Sequence, residues 1–105
     1  MDGNTTLKYL QHYIKEKDCH PELLKDYFMK LSEEVGELSR AMRKGLKAEN
    51  PADIQGTVDE ELWDVIYYAL AISNIYGIDI EQVAKTKSEL SDRKYPTSVR
   101  FETGR

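Results

Sequence analysis

Cysteine, long apolar runs and positive charge are what this chain of 105 residues has least of. Cys19 is the only cysteine, which excludes an internal disulfide and fits a reducing, cytoplasmic setting. No apolar stretch reaches the roughly 20 residues needed to cross a bilayer, so no membrane partner is expected. The amino end, MDGNTTLKYLQHYIKEKD, has no basic head followed by an apolar core, so no secretory signal is expected. Fifteen Lys and Arg against nineteen Asp and Glu leave a net charge of -4. That balance argues against a nucleic-acid polymer as partner, since such binding rewards a basic face. A single nucleotide escapes the argument, because a divalent ion neutralises its phosphates locally. With 40% hydrophobic and 32% charged residues, the chain reads as globular, and its length supplies one core rather than two.

The apolar spacing predicts four helices. The first spans about Thr5 to Lys17, with Leu7, Leu10, Tyr13 and Ile14 at helical intervals, and His20-Pro21 breaks it. The second runs from Pro21 or Glu22 to about Lys44, where Gly45 stops it. Gly45 to Gly56 contains Asn50-Pro51 and reads as a loop. The third spans about Thr57 to Tyr76, capped by Gly77. The fourth starts behind Asp79 and runs from Ile80 to about Lys94, before Pro96. Strand signals are weak, so the fold class is all-α. The chain 1–105 is expected to be a single domain with its core over about 5–96 and a mobile tail at 97–105.

Two carboxylate doublets interrupt this pattern. Glu34 and Glu37 lie in KLSEEVGELSRAM, and Glu61 and Asp64 in DEELWDVIYYALAI. A charge among core positions loses hydration and must be paired or bound to a metal. On the second helix Leu24, Tyr27, Phe28, Leu31, Val35, Leu38 and Met42 form one apolar arc. Glu34 falls inside it, Glu37 at its edge and Glu33 toward solvent. The third helix is apolar nearly all round, with Asp64 the one charge between Leu62 and Ile72. Its core stripe is expected to be Val58, Leu62, Val65, Ala69, Ile72 and Tyr76, with Glu61, Asp64 and Tyr68 alongside. Residues three apart share a helix face, so each doublet can address one point. An all-oxygen set suits Mg²⁺ or Mn²⁺ rather than a softer ion.

From the residues alone three readings stand open: a metal site, a solvated acidic face, or a buried ion pair with Arg40, Arg43 or Lys44. Other chemistries fail on spacing. His12 and His20 do not form the Glu-x-x-His of a di-iron bundle, and no nucleophile–base motif or Gly-rich phosphate loop occurs. Trp63, Tyr67 and Ile75 are left over on the third helix, which points to contact with another copy of the chain.

At these residues the chain resembles the MazG-like nucleoside triphosphate pyrophosphohydrolases. The resemblance rests on Glu34-Val35-Gly36-Glu37 followed by Glu61-Leu62-Trp63-Asp64. It is extended by EEVGEL, RKG, EELWDVIYYALAISN, GIDIEQV and the RKYP ending, and it covers roughly Leu24 to Pro96. It implies a four-helix bundle completed by homo-oligomerisation, as a homodimer or a dimer of dimers. The implied reaction is Mg²⁺-dependent hydrolysis of a nucleoside triphosphate between its α and β phosphates, giving monophosphate and pyrophosphate. By the same resemblance Glu34, Glu37, Glu61 and Asp64 hold the metal, and Glu33 or one of these ligands orients the attacking water. Lys87 and Arg93, assisted by Lys94, reach the phosphates, and Tyr68 borders the nucleoside. Ser91, followed by Asp92, stands where family members often carry Asn, which departs from the usual contact of that helix. The alternatives are a phosphoribosyl-ATP pyrophosphohydrolase and a non-catalytic module for dimerisation or nucleotide sensing.

Overall fold

Four α-helices and one 3₁₀ turn make up the secondary structure among the described residues, 4–102, of a computed structural model; no strand occurs among them. Helix α1 spans Leu7–Lys17, α2 Leu24–Arg43, α3 Val58–Ile75 and α4 Ile80–Lys94. The second helix starts later than its sequence suggests. Pro21 begins a separate 3₁₀ turn, Pro21–Leu23, which leads into α2.

Each boundary has a local cause. The Thr6 hydroxyl caps α1 by accepting from Tyr9 N–H at 3.0 Å, and Asp79 caps α4 by accepting from Gln82 N–H at 3.2 Å. Thr57 caps α3 by accepting from Glu60 N–H, and the Glu60 carboxylate in turn accepts from Gly56 N–H at 2.9 Å. Gly45 and Gly77 take φ of 65° and 66° just past α2 and α3. There Leu46 N–H donates to Ala41 C=O at 3.0 Å, and Ile78 N–H to Ser73 C=O at 2.9 Å. These bonds satisfy carbonyls that the helix ends would leave bare.

The most extensive packing is α2 against α3; α1 lies on another side of α3, and α4 rests on α1. The buried core is small: Ile14 of α1 meets Leu70 and Ala71 of α3, with Leu10, Trp63, Tyr67 and Ile80 around them. Trp63 and Tyr67 therefore serve this core instead of being left over, and their rings meet edge-on at 6.2 Å. The stripe expected to be buried is partly out of it, since Leu62, Ala69 and Tyr76 are exposed. Apolar residues surround α3, so periodicity alone could not choose the side on which α1 docks.

Gln11 fixes that docking. Its Nε2 donates to Ser73 Oγ at 3.2 Å, Asn74 Oδ1 at 3.0 Å and Ile78 C=O at 2.8 Å. Its Oε1 accepts from Ile80 N–H at 2.9 Å, and Asn74 Nδ2 donates to its carbonyl at 2.9 Å. One buried amide thus joins α1, the end of α3 and the start of α4. Tyr27 plays a similar part at the start of α2. Its hydroxyl donates to Asp18 Oδ1 at 2.8 Å and accepts from His20 N–H at 3.0 Å. Burial and the Asp18 carboxylate push the phenol up to about 12.

The last segment, 97–102, has no regular structure and turns back on α4, where Phe101 N–H donates to Asp92 Oδ2 at 2.9 Å. Residues 103–105 of the expected mobile tail lie outside the described residues.

Because Gln11→Ala leaves the Ile80 donor and the Ile78 acceptor without their partner, it should cost about 2–4 kcal/mol. Urea unfolding should show a lower midpoint at unchanged slope.

Candidate metal centre

Where α2 and α3 face each other, Glu34, Glu61 and Asp64 each present a carboxylate oxygen, and these atoms lie within 4.8 Å of one another. The helix register does this: the 61/64 pair shares one face of α3, and Glu34 points across from α2. Glu61 is 8% exposed and its Oε2 is buried with no hydrogen-bond partner. Glu34 and Asp64 are half-buried. An acidic first turn, Asp59, Glu60 and Glu61, sits well at the positive end of α3. That end is steadied by the preceding loop, where Ala48 N–H donates to Asp59 Oδ1 at 2.8 Å and Val58 N–H to Leu46 C=O at 2.7 Å.

Three carboxylates so close cannot all remain charged without a cation. Burial, then the neighbouring Glu61, raises Glu34 above the ordinary carboxylate range, while Asp64 and Lys30 pull it back. Asp64 is raised too, by burial first and then by the charges of Glu34 and Glu60. The donor set fits a hard divalent ion, because it is all oxygen and includes one buried oxygen without a partner. Glu34, Glu61 and Asp64 are the residues that would hold it.

The remaining sequence candidates stand at varying distance from this nest. Glu37 lies outside the triple, exposed and ion-paired with Arg40 at 3.7 Å. It nevertheless lines a cavity of about 270 Å³ together with Glu61, Arg40, Ala41, Leu46, Gln55 and Gly56. Glu33 is exposed and paired with Lys30 at 3.4 Å. Tyr68 is half-buried, edge-on to Tyr67 at 5.1 Å, and its phenol is raised by burial first and also by the charges of Glu34 and Asp64. Lys87, Arg93 and Lys94 are exposed on α4, which packs against α1; no ion pair ties them to the nest, and Lys94 lies over the Tyr95 ring.

Two cations on α2 were not picked out as site residues by sequence: Lys30, whose charge is felt at Glu34 and Tyr68, and Arg40 beside Glu37. Their spacing from the glutamates, i to i+4 and i to i+3, was the available signal.

An all-α protein with oxygen ligands converging from two facing helices is thereby defined, and comparison with known proteins gives it a family. The model of the MazG nucleotide pyrophosphohydrolase domain matches residues 22–98. Among solved structures, Ntag-iMazG from Vibrio DAT 722 is 44% identical with a TM-score of 0.80, covering 89% of this chain and 100% of that one. Ctag-iMazG from the same source is 44% identical with a TM-score of 0.79, covering 84% and 99%. None of the curated proteins matches. The chain belongs to the MazG nucleotide pyrophosphohydrolase family.

Since Glu34 has a raised pKa in the fold, it takes up protons on folding in mild acid. That contribution is complete below the unfolded value and is lost as pH rises through the folded value. Glu34→Gln should therefore raise the Tm of chelator-treated protein at pH 7 by about 4–8 °C, equivalent to about 1 kcal/mol in a chain of this size. The gap to wild type should narrow as pH is lowered and the Glu34 carboxyl takes up its proton, as scanning calorimetry in EDTA can measure.

Proposed function

We propose that this chain hydrolyses nucleoside triphosphates between the α and β phosphates in a Mg²⁺-dependent reaction. The observation that carries this reading is the Glu34–Glu61–Asp64 nest, with its buried and unpartnered Glu61 oxygen. Family membership supports the reaction class.

In this reading the nest, joined by Glu37 from its edge, holds Mg²⁺, or Mn²⁺ in its place. A bound ion supplies Lewis acidity toward phosphate oxygens and acidifies water. The chain's own residues do the rest. The carboxylates bind and orient, and Glu33 or one of the nest carboxylates orients the attacking water and would take up its proton. Water adds across the α–β anhydride: hydroxyl goes to one phosphorus, and the bridging oxygen leaves with the other. Monophosphate and pyrophosphate are the products. Tyr68, beside the nest, borders the nucleoside. Lys87 and Arg93, with Lys94, supply phosphate contacts from α4. Negative overall charge and the need for a cation make a single nucleotide, not a nucleic-acid polymer, the partner, in a cytoplasmic setting.

Assembly belongs to the same proposal. Phe28 at 62%, Met29 at 61% and Tyr76 at 64% exposed line an open apolar groove between α2 and α3 with Leu24 and Ile72. The radius of gyration is 16.0 Å, against roughly 13 Å for a self-contained chain of about 100 residues. A homodimer or a dimer of dimers covers such a face and gains about 25 cal/mol for each Å² of apolar area.

Two measurements test the proposal. Asp64→Asn should keep the helical circular dichroism yet lower pyrophosphate release by at least about 100-fold, since it removes a metal ligand from the reaction centre. Purified wild-type protein that binds nucleoside triphosphates but releases neither product with Mg²⁺ would instead make the chain a nucleotide sensor. For assembly, light scattering at micromolar concentration should give a multiple of 12.2 kDa for wild type and a smaller species for Phe28→Asp. A monomeric wild type would remove the oligomer.

A further inference from the structure

On the reading proposed above the nest receives a triphosphate, and a cation on its own walls would offset part of that charge. The cations assigned by resemblance lie on α4, whose main packing partner is α1. Two cations of α2 stand nearer: Lys30, whose charge is felt at Glu34, and Arg40, which alone of the two lines a cavity with a nest carboxylate. Arg40 lines the cavity of about 270 Å³ between α2 and the loop before α3, and the buried Glu61 and the exposed Glu37 line the same cavity. Its Nη1 is 3.7 Å from Glu37 Oε2, three residues earlier on the helix. Glu61, in contrast, is 8% exposed and leaves Oε2 without any partner. One cavity is thus lined by Arg40, by the Glu37 that pairs with it, and by Glu61, one of whose oxygens has no partner.

Resting on the reading of the nest as a Mg²⁺ site, we infer that Arg40 is a triphosphate-binding residue, restrained by Glu37 until a divalent ion draws that carboxylate away. The chemistry is an exchange of partners. Without the ion, Glu37 and Arg40 neutralise each other. Mg²⁺ competes with Arg40 for Glu37, and a guanidinium left without its carboxylate offers a planar fork of donors to phosphate oxygens. Ion and substrate then bind cooperatively, because the first frees the group that the second requires. Gln55, on the loop wall of the cavity, is placed to add a neutral donor.

The exchange gives Arg40→Ala two effects of opposite sign. Isothermal calorimetry with Mg²⁺ alone should show tighter binding than wild type, by up to about fivefold, because the competing ion pair is an exposed one. Calorimetry with inorganic tripolyphosphate at saturating Mg²⁺ should show binding at least about tenfold weaker. Arg40→Lys keeps a point charge without the fork and should restore the Mg²⁺ affinity to wild type while leaving tripolyphosphate binding intermediate. Tripolyphosphate carries no base or sugar, so the readout is independent of nucleoside preference and of turnover. If wild type binds Mg²⁺ and Arg40→Ala matches it toward both probes, the Arg40 assignment is wrong and the metal reading stands. Loss of both affinities together makes Arg40 a structural residue and also overturns the assignment. A wild type that binds no Mg²⁺ overturns the metal reading and the exchange built on it.

Discussion

Everything about this site follows from the decision to place carboxylates in the seam between α2 and α3. An apolar residue at Glu61 or Asp64 would add to a core that is otherwise thin, with Ile14, Leu70 and Ala71 at its centre. The chain instead places three acids within 4.8 Å and leaves one oxygen without a partner. Mutual repulsion and lost hydration both oppose that arrangement. It persists because the helices that present the acids are held elsewhere, and because protons or a cation relieve the charge. Burial and the charges of their neighbours raise both the Glu34 and the Asp64 carboxyls above the ordinary range.

The holding is done by polar anchors more than by apolar bulk. Gln11 ties α1 to the end of α3 and the start of α4, Tyr27 ties α2 to the turn before it, and Thr57 with Glu60 sets the first turn of α3. Each anchor satisfies backbone groups at a helix end, where a short bundle is weakest. Rigidity at these ends fixes the register that brings residue 34 opposite residues 61 and 64. Along the middle of α2 the apolar arc is half uncovered, with Phe28, Met29, Val35 and Met42 exposed.

Much of this was legible in sequence. The four helices, their glycine stops and the Asp79 cap could be read because they depend on neighbours in the chain. The i to i+3 spacing predicts that Glu34 and Glu37 of α2 and Glu61 and Asp64 of α3 address one point; the structure brings Glu34, Glu61 and Asp64 together and leaves Glu37 outside the triple. The packing side of α3 was not legible. Apolar residues surround that helix, and the choice between burying Trp63 with Tyr67 or Leu62 with Tyr76 was made by α1, through a glutamine that looks like any polar residue in its row. Glu37 illustrates a second limit: spacing places it near the nest, but only the structure shows Arg40 holding it at the edge.

Diffraction can test the acid nest as a divalent-cation site without reference to turnover. Crystals of the wild-type protein grown with Mn²⁺ should give an anomalous peak within coordination distance of Glu34, Glu61 and Asp64, and crystals of Glu61→Gln should lose or weaken it. Wild-type crystals with no anomalous density at the nest, and protons alone shared among the three carboxyls, would contradict it.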